Sequence, residues 1–334
     1  MSRYAKAHVS PEGPGDSRPT ALQVVKDEGM EGKLEGRVIV ITGTSSGLGI
    51  ETARALSITG ARLFLTARDI RKAKDALTDI SEPGRTEFIE MDLESFESVR
   101  AAAKAILGKT DKINILINNA GIMAVPGLEF TKNGHELQFG TNHLSHFLLF
   151  QLLKPALLAA TTPNFHSRVV NVSSSAHRLN GINATDNYNF EKGGYNPWVS
   201  YAQSKTANIY MANEIERRYG SQGLHATSVH PGGIATGLSK HIPEADLAAM
   251  LEDKALVKSL KSPEQGAATT VWAAIGKEWE NKGGRYLSNC AEAKRGDDLS
   301  DMTSADYVSH TYDRESEGRL WEDSVKIVGV TDDQ

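Results

Sequence analysis

The chain has 334 residues, 40% of them hydrophobic and 24% charged, enough to bury one large core in a globular protein. Its formal net charge of -5, with basic and acidic residues interspersed, excludes a basic stripe for nucleic acid or anionic lipid. A single cysteine, Cys290, excludes an intrachain disulfide and a cysteine-rich metal site.

Residues 1–35 read as a poorly ordered N-terminal arm, punctuated by Pro11, Pro14 and Pro19 and carrying one short helix around Ala21-Leu22-Gln23-Val24-Val25. The first 33 residues hold no continuous apolar stretch of the kind a signal peptide or membrane anchor needs. With the lone cysteine, this predicts a soluble cytoplasmic protein without membrane contact. From Arg37 the pattern changes. Val38-Ile39-Val40-Ile41 is a β-branched run ending at Gly43, the mark of a strand buried on both faces. Similar runs follow over 61–65, 87–91, 113–117, 168–172 and 224–229, with a shorter one at 284–287. Amphipathic segments over 49–59, 70–80, 96–107, 137–157 and 200–218 alternate with them. The alternation predicts an α/β, doubly wound, Rossmann-type parallel sheet of about seven strands with helices on both faces, forming a single domain over 36–330.

Where the first strand hands over to the first helix of this domain lies Thr42-Gly43-Thr44-Ser45-Ser46-Gly47-Leu48-Gly49. Gly43 permits a tight turn, Gly47 lets backbone approach a phosphate, and Gly49 allows close helix-to-strand packing. The helix N-terminus behind them offers N–H groups to negative charge. Downstream, Tyr201-Ala202-Gln203-Ser204-Lys205 places Tyr201 and Lys205 on one helical face. A neighbouring ammonium favours phenolate, bringing a tyrosine toward proton transfer near neutrality. Ser173, Ser174 and Ser175 end the fifth strand and offer a hydroxyl to an oxygen that gains negative charge. His143, His146, His177 and His230 are not spaced as a metal set, so no metal is expected.

The TGxxxGxG spacing, Asn118-Asn119-Ala120-Gly121 after the fourth strand, YxxxK and His230-Pro231-Gly232-Gly233-Ile234-Ala235-Thr236 resemble the short-chain dehydrogenase/reductase family. The resemblance spans about residues 35–330. Thr141-Asn142-His143-Leu144-Ser145-His146-Phe147-Leu148-Leu149 and the tail at Leu320-Trp321 look like its retinol dehydrogenase and WW-domain oxidoreductase branch. It implies a hydride transfer between a nicotinamide and a small carbonyl or alcohol substrate, with Ser174, the second of the three serines, joining Tyr201, Lys205 and Asn142 as the catalytic set. Gly43, Ser45, Ser46, Gly47, Leu48 and Gly49 would hold the pyrophosphate. Asp92 and Leu93 would meet the adenine, and Asn119, Ala120 and Gly121 the adenosine ribose side. Pro231, Gly232, Ile234 and Thr236 would meet the nicotinamide end, with Tyr201 and Lys205 also touching the cofactor.

Ala67 stands where NAD-preferring relatives carry an acid, and Arg68 beside it suits a ribose phosphate, with Lys72 adding charge. The cofactor expected is therefore NADP(H). Asp69 reads as the cap of the next helix. The stretch 237–262 would be a mobile lid, and a homodimer or homotetramer on the helices carrying Asn142 and Tyr201 stays open. Ser174 and Tyr201 lie 27 positions apart, a long separation for the family. The insertion carries Tyr188, Phe190, Tyr195 and Trp198, either as an apolar wall for a ring-containing substrate or as a satellite core. A nucleotide-binding sensor or scaffold without turnover would need only the glycine loop and Arg68; the intact Ser174, Tyr201 and Lys205 favour an enzyme.

Overall fold

The computed structural model describes residues 2–299 and 301–331. Met1 of the expected arm and Ser300 of the expected domain lie outside the described residues. Eight strands form one sheet: β1 Val38–Thr42, β2 Arg62–Ala67, β3 Thr86–Glu90, β4 Ile115–Asn118, β5 Ser167–Val172, β6 Leu224–His230, β7 Arg285–Ser288 and β8 Ala291–Glu292. Their order is β3-β2-β1-β4-β5-β6-β7-β8. The first seven run parallel, and the two-residue β8 adds an antiparallel edge that no sequence pattern announces. The order reverses between β1, which pairs with β2, and β4, which pairs with β1, and beyond the carboxyl ends of strands at such a switch point open α/β sheets bind their ligands.

The helices are α1 Ala21–Asp27, α2 Leu48–Ser57, α3 Ile70–Ala76, α4 Phe96–Leu107, α5 Leu137–Phe139, α6 Ser145–Ala160, α7 Pro197–Tyr219, α8 Glu244–Glu252, α9 Lys254–Ser259, α10 Pro263–Gly266, α11 Ala268–Ile275 and α12 Arg314–Val328. Alternate strand residues feed two cores. Val40, Phe64, Leu116 and Val169 face one, packed by α4, α6, α7 and α12. Ile39, Ile41, Leu63, Ile115 and Val170 face the other, packed by α1, α2 and α11. The helix expected over 137–157 is not continuous: a widened π-type turn, Gly140–Leu144, joins α5 to α6.

The arm departs from expectation. Its short helix forms as α1, but Ala21, Val24, Val25 and Leu34 are buried in the second core. Arg18 is buried too and donates to the carbonyls of Gly13, Ser259 and Leu260 and to Asp16. The proline-rich composition signals irregular backbone; the apolar residues that follow it are what bring that backbone onto the domain.

Packing bears on two further expectations. The segment 237–262 is solvent-facing as far as Leu260, with no buried side chain in its short turn Gly237–His241, in α8 or in α9, while Lys261 is buried and Arg18 ties the far end. The outer sides of α6 and α7 are covered by α12, whose Trp321 packs on Phe147, Phe150 and Tyr219. Those two helices are thus largely covered within the chain.

Candidate active site

Each side chain of the site is delivered by an element with a physical reason to be there. Thr42 ends β1 and Gly43 turns the chain at φ 74°. A Cβ on Gly43 would lie 2.7 Å from that of Ala120, and one on Gly49 only 2.1 Å from the Gly43 carbonyl oxygen. These two glycines are thus required by close packing at the switch point, as their spacing implies. Gly47, at φ 62°, starts α2 without any side-chain cap, leaving the first N–H groups of Leu48 and Gly49 to an external acceptor. Ser45 is half-buried, Ser46 exposed, and Thr236 lies 3.6 Å from the position a Gly47 Cβ would take, so the loops after β1 and β6 face each other.

Asn119 closes this corner. Its Nδ2 donates to the carbonyls of Thr42, 2.8 Å, and Gly43, 3.4 Å. The Thr42 hydroxyl accepts from the N–H groups of Asn119, 2.9 Å, and Ala120, 3.0 Å, and lies 2.9 Å from His146 Nε2. His146 Nδ1 lies 2.9 Å from the Asn142 carbonyl, which can only accept, so the ring proton sits on Nδ1 and Nε2 accepts from Thr42. Burial lowers this imidazole to about 4, keeping it neutral. Thr42 and His146 are thus working parts of the corner that the motifs alone do not single out.

The residues expected on the adenosine side lie at the carboxyl ends of β2 and β3. Asp69 caps α3 by accepting from Lys72 N, 2.9 Å. Arg68 is exposed and pairs with Glu94, 3.0 Å, while Lys72 is also exposed. Asp92 accepts from Lys132 Nζ, 2.7 Å; burial alone would raise its carboxyl, but the Lys132 bond and neighbouring donors hold it below its usual range. Leu93 is buried beneath it.

Asn196 and Pro197 start α7: the Asn196 side chain accepts from the N–H groups of Trp198 and Val199, and Pro197 occupies the first turn. One turn on, Tyr201 and Lys205 are both buried beneath the end of β5. The Ser174 side chain stands close enough to the Tyr201 phenol to favour its ionised form. The three serines separate: Ser173 donates to the Lys205 carbonyl, 2.8 Å, and Ser175 to the Met302 carbonyl, 2.6 Å. Ser174 accepts from Ala176 N, 3.1 Å, and keeps its hydroxyl toward Tyr201. Lys205 Nζ donates to the Val172 carbonyl, 3.1 Å, and stands 5.6 Å from the Tyr201 ring centre. Among the described residues it forms no ion pair.

The electrostatics differ from the sequence expectation. Burial raises the Tyr201 phenol to about 12, opposed by the Ser174 side chain, and burial lowers Lys205 to about 8. Desolvation is the largest influence on both groups.

Asn142 sits in the π-type turn. Its Oδ1 accepts from Ile122 N, 2.9 Å, and its Nδ2 donates to the Ile122 carbonyl and to Ser204 Oγ, each 2.9 Å. Both amide hydrogens are engaged, one by the Ile122 carbonyl and one by the Ser204 hydroxyl. A Cβ on Gly121 would lie 3.2 Å from Asn142 Oδ1 and 3.3 Å from Lys205 Nζ, a tight fit that places this loop against both side chains. After β6, Gly232 takes φ 105° and Pro231 accepts from the buried Lys261 Nζ, 3.0 Å. Ile234 bridges to Lys261, and Thr236 caps the turn at Leu238.

The aromatic insertion divides. Tyr188 and Phe190 are buried, and Tyr188 stacks 5.2 Å from Phe139 as satellite core. Tyr195 donates to the Val125 carbonyl, 2.7 Å. Trp198 remains half-buried and meets the Tyr201 ring edge to face, 6.3 Å between centres. Among the described residues no cluster of three or more His, Cys, Asp and Glu could hold a metal ion, and no helix is long and apolar enough to cross a membrane.

Residues 37–247 match the family model described as short chain dehydrogenase. The Penicillium roqueforti protein named short-chain dehydrogenase/reductase prx1 is 47% identical over 330 residues, covering 99% of this chain and 96% of that protein. Human polyprenol dehydrogenase is 34% identical over 302 residues, covering 89% of this chain and 86% of that protein. The Pseudomonas aeruginosa RhlG/NADP active-site complex superposes with a TM-score of 0.61 at 27% identity, covering 78% of this chain and 96% of that one.

Proposed function

The chain belongs to the short-chain dehydrogenase family, and on that footing we propose that it is an NADP(H)-dependent oxidoreductase that reduces a carbonyl, or oxidises the matching alcohol, of a small apolar or ring-containing substrate. The observation that carries this reading is the Ser174, Tyr201 and Lys205 cluster at the end of β5, beside the uncapped start of α2 at the switch point.

The crevice residues suit a dinucleotide. The Gly43 to Gly49 loop would take the pyrophosphate on the free N–H groups of α2. Exposed Arg68 and Lys72 would take a ribose phosphate, Arg68 exchanging its Glu94 partner for it. Asp92, Leu93 and Asn119 to Gly121 would line the adenosine side, and Pro231, Gly232, Ile234 and Thr236 the nicotinamide side. That a related fold is known as an NADP complex supports the assignment.

The nicotinamide, when bound, supplies or takes up the hydride. In the reducing direction the Ser174 hydroxyl donates a hydrogen bond to the substrate oxygen, and Tyr201 passes its phenolic proton to that oxygen as the C–H bond forms. A phenol held high by burial keeps its proton until the substrate oxygen has become basic enough to take it. Lys205 then stabilises the phenolate, and reprotonation from solvent completes the cycle. The half-buried Trp198 beside Tyr201 supports an apolar wall for the substrate, in keeping with a relative named for an apolar alcohol.

The test is a panel of aldehydes, ketones, quinones and ring carbonyls followed by NADPH absorbance. Tyr201→Phe should lose turnover by roughly a thousandfold with NADP(H) binding changed less than about twofold. A variant that keeps most turnover refutes the mechanism. NADP(H) binding without turnover of any compound favours a sensor or scaffold.

A further inference from the structure

One peptide unit in the site is held at both of its polar groups by imidazoles, one from the adjoining turn and one from the end of β6. The Ser174 carbonyl lies 2.8 Å from His177 Nδ1, and the Ser175 N–H points at His230 Nδ1, 3.1 Å. A carbonyl only accepts, so His177 carries its proton on Nδ1. An amide N–H only donates, so His230 Nδ1 is bare and its proton sits on Nε2. The two rings must therefore hold opposite tautomers.

The His177 tautomer is enforced from behind. His177 Nε2, left bare, lies 3.1 Å from Thr311 Oγ1, whose oxygen accepts from Val308 N, 3.1 Å, and so has its own hydrogen to give. The His177 ring lies 4.6 Å from that of Tyr286 on β7, and its own carbonyl is 2.8 Å from His310 Nε2. His230 ends β6 and leads directly into Pro231, whose carbonyl is held by Lys261. Both imidazoles are buried, and burial lowers each to about 3, so both are neutral.

A peptide plane gripped at its carbonyl and its N–H cannot rotate about the bonds on either side, and the residue before it carries the Ser174 hydroxyl. We propose that His177 and His230 are positioning residues that fix the Ser174–Ser175 peptide, and with it the aim of the Ser174 hydroxyl at the substrate oxygen. The proposal rests on the oxidoreductase reading of Ser174. It assigns work to two histidines whose spacing says only that they bind no metal, and it ties the C-terminal segment around Thr311 to the catalytic centre. A misplacement of even about 1 Å at such a donor costs about a hundredfold in rate.

Two measurements on the full-length protein decide it. Imidazole nitrogen shifts at neutral pH should show His177 protonated on Nδ1 alone and His230 on Nε2 alone. The reverse tautomer at either ring, or an imidazolium, overturns the clamp. In turnover, His177→Phe should lower kcat by about tenfold or more while the NADP(H) dissociation constant moves less than about twofold. His177→Asn, whose amide N–H reaches the Nδ1 position, should recover most of the loss. In a Ser174→Ala background the same His177→Phe change should cost less than about twofold. A penalty as large in that background as in the native one means the ring only holds the fold, and overturns the proposal. If His177→Phe does not fold, His177→Asn carries the comparison, since near-native kcat supports the clamp and a loss independent of Ser174 overturns it. Absence of any turnover in the native protein refutes the oxidoreductase reading by itself, and the tautomers still decide whether the clamp exists.

Discussion

Replacing Lys205 by Met should make the protein more stable and catalytically dead. Lys205 is buried, and its ammonium is lowered by burial from the ordinary 10.5 to about 8. That difference, at about 1.4 kcal/mol per unit, is a cost of about 3 kcal/mol for keeping the charged form inside at neutral pH. Against it stands one hydrogen bond to the Val172 carbonyl, worth about 1 kcal/mol. That carbonyl is not orphaned by the change, because Asn208 Nδ2 also donates to it, 3.1 Å. Lys205→Met should therefore raise the unfolding free energy of the cofactor-free protein by about 2 kcal/mol near neutral pH. The sign with pH follows from proton counts. Between about pH 8 and about pH 10.5 the unfolded lysine holds a proton that the folded one has lost, so native stability rises with pH relative to the variant. Lys261 is lowered by burial to about 8 as well, but it is present in both proteins and cancels in the difference. Urea unfolding of both proteins at pH values from about 7 to about 9.5 measures it. A variant less stable than the native chain at neutral pH, or a difference that does not shrink as pH rises, would refute the reasoning.

The other expectations come from different parts of the molecule. Arg68→Ser should weaken NADP(H) binding by about tenfold or more and leave NAD(H) binding nearly unchanged, while Glu94→Gln, which frees Arg68, should strengthen NADP(H) binding a few-fold; equal effects on both cofactors count against a ribose-phosphate contact. Burial lowers His143, His177 and His230 to about 3 and His146 to about 4, so each binds a proton in the unfolded chain first, and stability falls as pH drops through about 6.5 toward those values. The cofactor-free protein should unfold cooperatively between about pH 6 and about pH 4, and circular dichroism unchanged down to pH 4 would contradict this. Leu34→Ala should cost about 3 kcal/mol, where a disordered arm would register nothing in a thermal melt. With α12 covering α6 and α7, light scattering should report a single-chain mass; a dimer that persists would place the interface elsewhere.

Much of the site is legible in the chain because its chemistry is carried by local spacing. The glycines of the β1 loop, the i and i+4 pair Tyr201 and Lys205, and the cap at Asp69 each depend on a few neighbouring residues, and the structure places each of them in the element its pattern predicts. Strand runs were readable for the same reason, since burial on both faces leaves continuous β-branched stretches. The arm was not. Prolines and charge describe its backbone, whereas its burial depends on α2 and α11, which lie far away in sequence. The choice among three serines also had no local answer, because identical hydroxyls are distinguished only by what stands opposite: the Lys205 carbonyl, Tyr201 and the Met302 carbonyl.

By itself, then, the sequence determined the alternating α/β plan, the family likeness and the residue types of the cofactor loop and the Tyr201–Lys205 helix, since periodicity and short spacings suffice for these. Tertiary structure alone decided the protonation of the site and the aim of its groups. The tautomers of His146, His177 and His230, the raised phenol of Tyr201 and the lowered ammonium of Lys205 all follow from burial and from hydrogen-bond partners that only the folded chain aligns. Desolvation and hydrogen-bond direction are properties of a packed environment, and no stretch of chain carries them until its distant neighbours have closed around it.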